Sequence, residues 1–341
     1  MKRLFIGIIF LGAFSSICAF QSKKQSAFTY QLSGGRFGDN VISLYHGLWF
    51  EYNYDIPLLY NEFNYSDQLM IHEKRVRYND IAIKQSFSSI IELKRNSFVE
   101  IRPDTNSLYV IPFFPESLEE HRKIECSSEV FINVYKGGSR TWPYFHVDWD
   151  DSDFIAKIKA VVAPRKTIRC LEIPKGYISV ALHIRKPGVY DDFPLLSEIP
   201  LSEYSQKVFY MDVNYPLKFP PNSYYIEQLK FIKNMYVGQK LYVFIFTDDA
   251  HPEVLIEKYA KELNDENIIF DYHQSNSHDR NVLEDFFSIA KFDCLIRSDS
   301  NFALAASKIG NFKVQIAPLH HRWIGKKLYI DKVDIIIAKN I

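Results

Sequence analysis

The chain reads as an α/β protein of two domains whose C-terminal half is a doubly wound parallel sheet, and three observations predict this. After about residue 173, apolar stretches of strand length alternate with stretches of helical period, the order that builds a parallel sheet. Residues 241–246 are apolar at every position, as a strand covered on both faces must be. The length of 341 residues, 47% of them hydrophobic, supplies more core than one domain of ordinary size needs. The expected division is 27–172 and 173–341, with Pro164 and Pro174 bracketing the crossing.

The elements follow in order. Ile178, Val180, Leu182 and Ile184 alternate with Ser179, Ala181, His183 and Arg185, the period of two of a strand, and this places His183 and Arg185 on one face. A helix is expected over 224–235. Strand 241–246 ends in Thr247-Asp248-Asp249, where a ligand would be met. Pro252 suits the first turn of a helix reaching about residue 263, and 267–271 reads as a short strand. Helix 282–292 and strand 294–297 come next. Ser300 is then a candidate N-cap for a helix over 301–308 that Gly310 stops. Strand 313–318 closes the series, with His320-His321-Arg322-Trp323 read as a loop after it. In the N-terminal half, strand 28–32 leads through Gly34-Gly35-Arg36-Phe37-Gly38 into a helix with the apolar stripe Val41, Leu44, Tyr45, Leu48, Trp49 and Tyr52. The remainder up to about residue 172 is of mixed pattern.

Composition narrows the function. The 41 Lys and Arg balance 41 Asp and Glu, so no overall field draws the chain to nucleic acid or to an acidic membrane. Lys2 and Arg3 precede an apolar run ending near Ser15, Ser16 and Ala19, so residues 1–20 read as a targeting segment. A cleaved signal peptide is the first expectation and an uncleaved, Golgi-type signal-anchor with membrane attachment the second; either implies a secretory route or export. Outside that segment, Cys126, Cys170 and Cys294 are too widely spaced for a metal site and permit at most one disulfide.

Three places carry candidate chemistry. A glycine turn between strand and helix presents backbone N–H groups to an anion, although a tight turn without a ligand accounts for it as well. The spacing is not that of the dinucleotide fingerprint, so NAD is not favoured. Arg185 offers a planar fork suited to pyrophosphate, against a plain ion pair at a sheet edge, with Asp248 as the partner to test. The third place runs from Glu284-Asp285 to Ser298-Asp299-Ser300-Asn301-Phe302. It puts a carboxylate able to accept from guanine N–H groups near one helix start and a phosphate-compatible cap at the next, with ordinary capping as the alternative. Separately, Asp148 and Asp150 form an acidic pair of the kind that holds a divalent cation in metal-dependent glycosyltransferases, and acidic surface loops of this kind are common.

Together Gly34-Gly35-Arg36-Phe37-Gly38-Asp39-Asn40, Leu182-His183-Ile184-Arg185 and Val282-Leu283-Glu284-Asp285 leading to Ser298-Asp299-Ser300-Asn301-Phe302 resemble the α1,2/α1,6/protein-O-fucosyltransferase superfamily. The resemblance implies a GT-B-like fold, two Rossmann-type domains facing a cleft, and inverting transfer of fucose from GDP-fucose to a glycan or protein hydroxyl with no metal required. It implies that Arg185 holds the β-phosphate, that His183 and Asp285 read guanine and ribose, and that Ser300, Asn301 and Phe302 line the phosphate side. Gly35, Arg36, Gly38 and Asn40 would close over the donor, and Asp39 stands where it could take the acceptor proton. The chain departs from the family pattern at Asp39, often asparagine there, and at Lys186-Pro187, where a second arginine is common. A catalytically silent glycan- or nucleotide-binding protein of the same fold is the alternative in another class.

Overall fold

The computed structural model describes residues 25–78, 86–94, 99–113, 147–186, 216–249, 251–273, 282–324 and 327–338. The targeting segment, Cys126, Pro187 and most of the connection after it lie outside them. The chain divides into two compact units, the described residues up to Lys166 in one and those from Thr167 in the other. Among the described residues, no helix is long and apolar enough to cross a membrane.

The first unit holds a parallel sheet of β1 (Ala27–Tyr30), β2 (Ser89–Glu92) and β3 (Ser107–Ile111) in the order β1-β3-β2. Strand β1 is wholly buried, because the segment after Ile56 covers the side away from β3: Phe28 N–H donates to Pro57 O at 2.9 Å and Leu59 N–H to Phe28 O at 2.8 Å. Helix α1 (Phe37–Tyr54) lays its expected stripe against the core, with Val41, Leu44, Tyr45 and Leu48 fully buried and the Phe50 ring 5.3 Å from that of Phe28. Trp49 and Tyr52 of the same stripe turn elsewhere, onto Phe154 at 4.8 and 5.7 Å. Phe154 belongs to α2 (Ser152–Val162), a helix the sequence reading left within its mixed region.

In the second unit the strands β4 (Tyr177–Ile184), β5 (Lys240–Thr247), β6 (Ile268–Tyr272), β7 (Cys294–Arg297), β8 (Val314–Ile324) and β9 (Lys327–Ile337) stand in the order β6-β5-β4-β7-β8-β9. All pairings are parallel except β8 with β9. The connecting helices are α3 (Asn222–Met235), α4 (Pro252–Leu263), α5 (Val282–Ile289) and α6 (Asn301–Ile309). This is the doubly wound arrangement the sequence predicts, with the chain reversing direction across the sheet between β4 and β7. Strand alternation sorts the core: Ile178, Val180, Leu182 and Ile184 pack with Val243 and Ile245, under Leu229 and Ile232 of α3 and Tyr259 of α4. Ser179, Ala181 and His183 face the other way, in register with Tyr242, Phe244 and Phe246.

Two expected elements differ in extent. The helix over 282–292 ends at Ile289, where Lys291 and Phe292 turn back onto Ser288 O and Ile289 O. That turn brings the Asp293 carboxylate to β4, where Oδ2 accepts from Ser179 N–H at 3.0 Å and from its hydroxyl at 2.8 Å. The last strand runs past residue 318 to Ile324, so His320-His321-Arg322-Trp323 lies in β8 rather than in a loop, and β9 returns along it. The register slips between Pro318 and His321, as expected where a proline lacks the N–H a ladder needs.

Burial pushes the Asp293 carboxyl up, yet Lys313 Nζ at 2.8 Å and the Ser179 donors outweigh it and hold the group below the usual carboxylate range. Hydrogen bonds to a charged group contribute about 1.5–3 kcal/mol each and exposed ion pairs under about 1. Urea denaturation should therefore show Asp293→Ala losing about 2–3 kcal/mol and Lys313→Ala far less; equal losses would move the weight from the strand contacts to the lysine.

Candidate functional site

The edge formed by the C-terminal ends of β4, β5, β6 and β7 gathers a cluster of polar groups. His183 lies in register with Phe246 of β5 on one side and Arg297 of β7 on the other. Its Nδ1 is 3.3 Å from Ser298 Oγ, and its ring lies 5.9 Å from that of Phe302 in the first turn of α6. Phe302 in turn meets Phe286 of α5 at 5.8 Å. Burial lowers the His183 imidazole from 6.5 to about 4; the Arg297 charge adds to this and Asp285 works against it. His183 is thus a neutral imidazole at neutral pH.

One residue beyond the last register pair of β4 and β5, Arg185 and Asp248 stand side by side and form an ion pair in which both side chains are at least nine-tenths buried. Asp248 also accepts from Lys186 N–H at 2.7 Å, so it fixes the guanidinium and the backbone that follows it. Asp248 is the partner expected from the sequence, but the pair joins two interior strands of the six-stranded sheet and does not lie at its edge. Buried pairs contribute little net stability, since desolvation offsets their attraction. What this one does is hold the guanidinium in a single orientation at the point where the sheet reverses.

Asp285 lies in the first turn of α5, and His273, just past β6, donates from Nε2 to its Oδ1 at 3.0 Å. The His273 ring meets Phe244 edge-on at 4.7 Å. Ser300 occupies the N-cap of α6 with extended backbone, as predicted, although its hydroxyl makes no capping hydrogen bond. Asn301 and Phe302 open the helix, whose start carries the partial positive charge of aligned peptide dipoles. Six sequence-predicted residues, His183, Arg185, Asp285, Ser300, Asn301 and Phe302, thus come to one sheet edge. Sequence reasoning missed His273 and Arg297. Each is a polar residue at or just past a strand's C-terminal end, the same signal that pointed to Arg185.

The glycine loop belongs to the first unit. Gly34 has φ +76°, the left-handed region that favours glycine, and a Cβ on Gly35 would run into the Asp39 carboxylate. That carboxylate accepts from Arg36 N–H at 3.1 Å, and Asn40 Nδ2 donates back to Gly35 O at 3.3 Å. Gly35 and Arg36 are exposed, Gly38 and Asn40 buried. Asp39 therefore has a structural task at the start of α1, one that accounts for a carboxylate here.

The acidic run near α2 is likewise a helix start. Asp151 accepts from Asp153 N–H and Phe154 N–H at 2.9 and 3.0 Å, and Asp148 accepts from Asp150 N–H at 2.9 Å. Among the described residues, no group of three or more His, Cys, Asp or Glu is placed to hold a metal ion.

No protein-family model matches the chain, and no curated protein matches it by sequence. Solved structures of fucosyltransferases do match. A mutant of Arabidopsis thaliana FUT1 in complex with GDP is 11% identical, with a TM-score of 0.46 over 93% of this chain and 75% of that one. The NodZ fucosyltransferase from Bradyrhizobium is 11% identical, with a TM-score of 0.41 over 92% of this chain and 99% of that one. POFUT1 in its apo form is 12% identical, with a TM-score of 0.38 over 84% and 94%.

A histidine whose pKa is lower in the folded chain than in the unfolded one gives stability that is present above the unfolded value and lost as pH falls through the folded one. For His183 that window runs from 6.5 down to about 4, and the loss is on the order of 3 kcal/mol. Melting temperatures should fall less steeply across this window in His183→Gln than in the parent; parallel profiles would mean that His183 is solvated.

Proposed function

We propose that the chain is a glycosyltransferase that moves a sugar, fucose in the first instance, from a GDP donor to a hydroxyl of a glycan or protein. The observation that carries this reading is the meeting of His183, Arg185, Asp285 and the start of α6 at the reversal point of one doubly wound sheet, from three separate stretches of sequence. Open α/β sheets bind nucleotides at that point.

The chemistry assigned to the residues follows from their charge. Arg185, held by Asp248, faces the negative charge that grows on the β-phosphate as the bond to the anomeric carbon breaks. Asp285 accepts from the guanine N–H donors, and neutral His183 hydrogen-bonds without adding charge. The acceptor oxygen bonds to the anomeric carbon from the opposite side, inverting it, and its proton passes to a base, for which Asp39 is the candidate. No metal has a part in this scheme. Entry into a secretory route through residues 1–20 belongs to the same proposal, with residues 27–172 as the acceptor side and 173–341 as the donor side.

The buried Arg185–Asp248 pair favours one second reading, a silent nucleotide- or glycan-binding protein, because a guanidinium already matched by a carboxylate has less charge to lend a phosphate.

Calorimetric titration with GDP, UDP and ADP in EDTA is the direct test. Selective GDP binding is expected, and preference for UDP with added Mn²⁺ would overturn the reading. Arg185→Lys keeps a charge against Asp248 but loses the planar fork; it should reduce transfer by about 10²–10³-fold while the protein stays folded. GDP binding without transfer by the parent to any acceptor would support the silent protein. Asp39→Asn should abolish turnover and leave GDP affinity unchanged; weakened GDP binding would confine Asp39 to the glycine loop.

A further inference from the structure

We propose that His273 is a positioning residue for purine recognition, fixing the carboxylate of Asp285 so that it discriminates among bases by their 2-amino group; this rests on the reading that Asp285 meets the donor's base. Three observations carry it. His273 Nε2 lies 3.0 Å from Asp285 Oδ1, and since a carboxylate can only accept, the histidine is the donor. The ring cannot swing easily, because Phe244 meets it edge-on at 4.7 Å and Phe246 stands 6.2 Å away on the same sheet face. The two side chains are each about one quarter exposed, so the pair is open to an incoming ligand and not sealed in the core.

The geometry has a consequence for selectivity. A carboxylate can accept from both the N1–H and the 2-amino group of guanine only if its plane is held, and a short aspartate in the first turn of a helix turns about two side-chain bonds unless something fixes it. His273 comes from the strand end opposite α5 and fixes it from outside the helix. One oxygen has two lone pairs, so Oδ1 keeps its histidine while the carboxylate receives the base. His273 touches no reacting atom in this scheme; it acts through Asp285.

The test compares GDP with inosine diphosphate, which lacks only the 2-amino group. The parent should prefer GDP by about 10–100-fold, the contribution of a hydrogen bond to a charged acceptor. His273→Ala should shrink that ratio at least several-fold, His273→Gln should restore much of it by offering an amide N–H to the same oxygen, and His273→Ala should change nothing further in an Asp285→Asn background. If His273→Ala weakens both nucleotides equally and leaves the ratio intact, the residue only supports the fold and the proposal is overturned. If the parent binds no GDP at all, the donor reading itself fails and takes this inference with it. Selective GDP binding by the parent with an unmoved ratio in the variant sinks this proposal alone.

Discussion

Strand β4 is the constraint on which the second unit depends. Its backbone is hydrogen-bonded by parallel neighbours on both sides, so it is an interior strand with aliphatic side chains packed on one face under α3 and α4. Polar side chains can survive on such a strand only near its end or where a partner is built for them. Ser179 at the beginning is met by Asp293, His183 near the end by Ser298, and Arg185 just past the end by Asp248. β5 and β6 lie on one side of β4 and β7 and β8 on the other, and the reversal leaves His183 and Arg185 at the C-terminal ends of the central strands.

Side chains along that edge are partnered pair by pair. Arg185 is matched with Asp248 and His273 with Asp285, while Arg297 lies 3.9 Å from Asp299. Each pair joins different elements or a strand to the turn after it. Pairs of this kind add little to stability at partly buried sites, and their physical effect is orientation. The neutrality of His183 belongs to the same pattern: burial and the neighbouring Arg297 both disfavour a further positive charge.

In the first unit the same economy appears in a local form. The turn at Gly34 lets the chain reverse into α1, and the Asp39 carboxylate folds back over Gly35 onto Arg36 N–H. The acidic run before α2 does the equivalent work through Asp151. Carboxylates at helix starts accept from N–H groups that have no partner within the helix, so acidic residues gather there whether or not a ligand is present.

The sequence by itself determined the elements that repeat a strong period. The alternation at 177–185, the apolar run at 241–246 and the proline at the start of α4 settle their own conformations, because side-chain direction within a strand or helix follows from spacing alone. It also marked His183 and Arg185 as polar groups needing partners, and Asp285 as a carboxylate at a helix start able to meet a base. The strands β2 and β3 and the helix α2 were not legible, since the sequence up to about residue 172 is of mixed pattern, and β2 and β3 gain their places from the strands beside them. The length of β8 and the existence of β9 likewise depend on mutual pairing across a hairpin. Only the tertiary structure decided that Asp248 would face Arg185, that His273 would hold Asp285, and that Arg297 would lower the His183 pKa. These are contacts between residues far apart in the chain, set by sheet register, and register is a property of two strands at once.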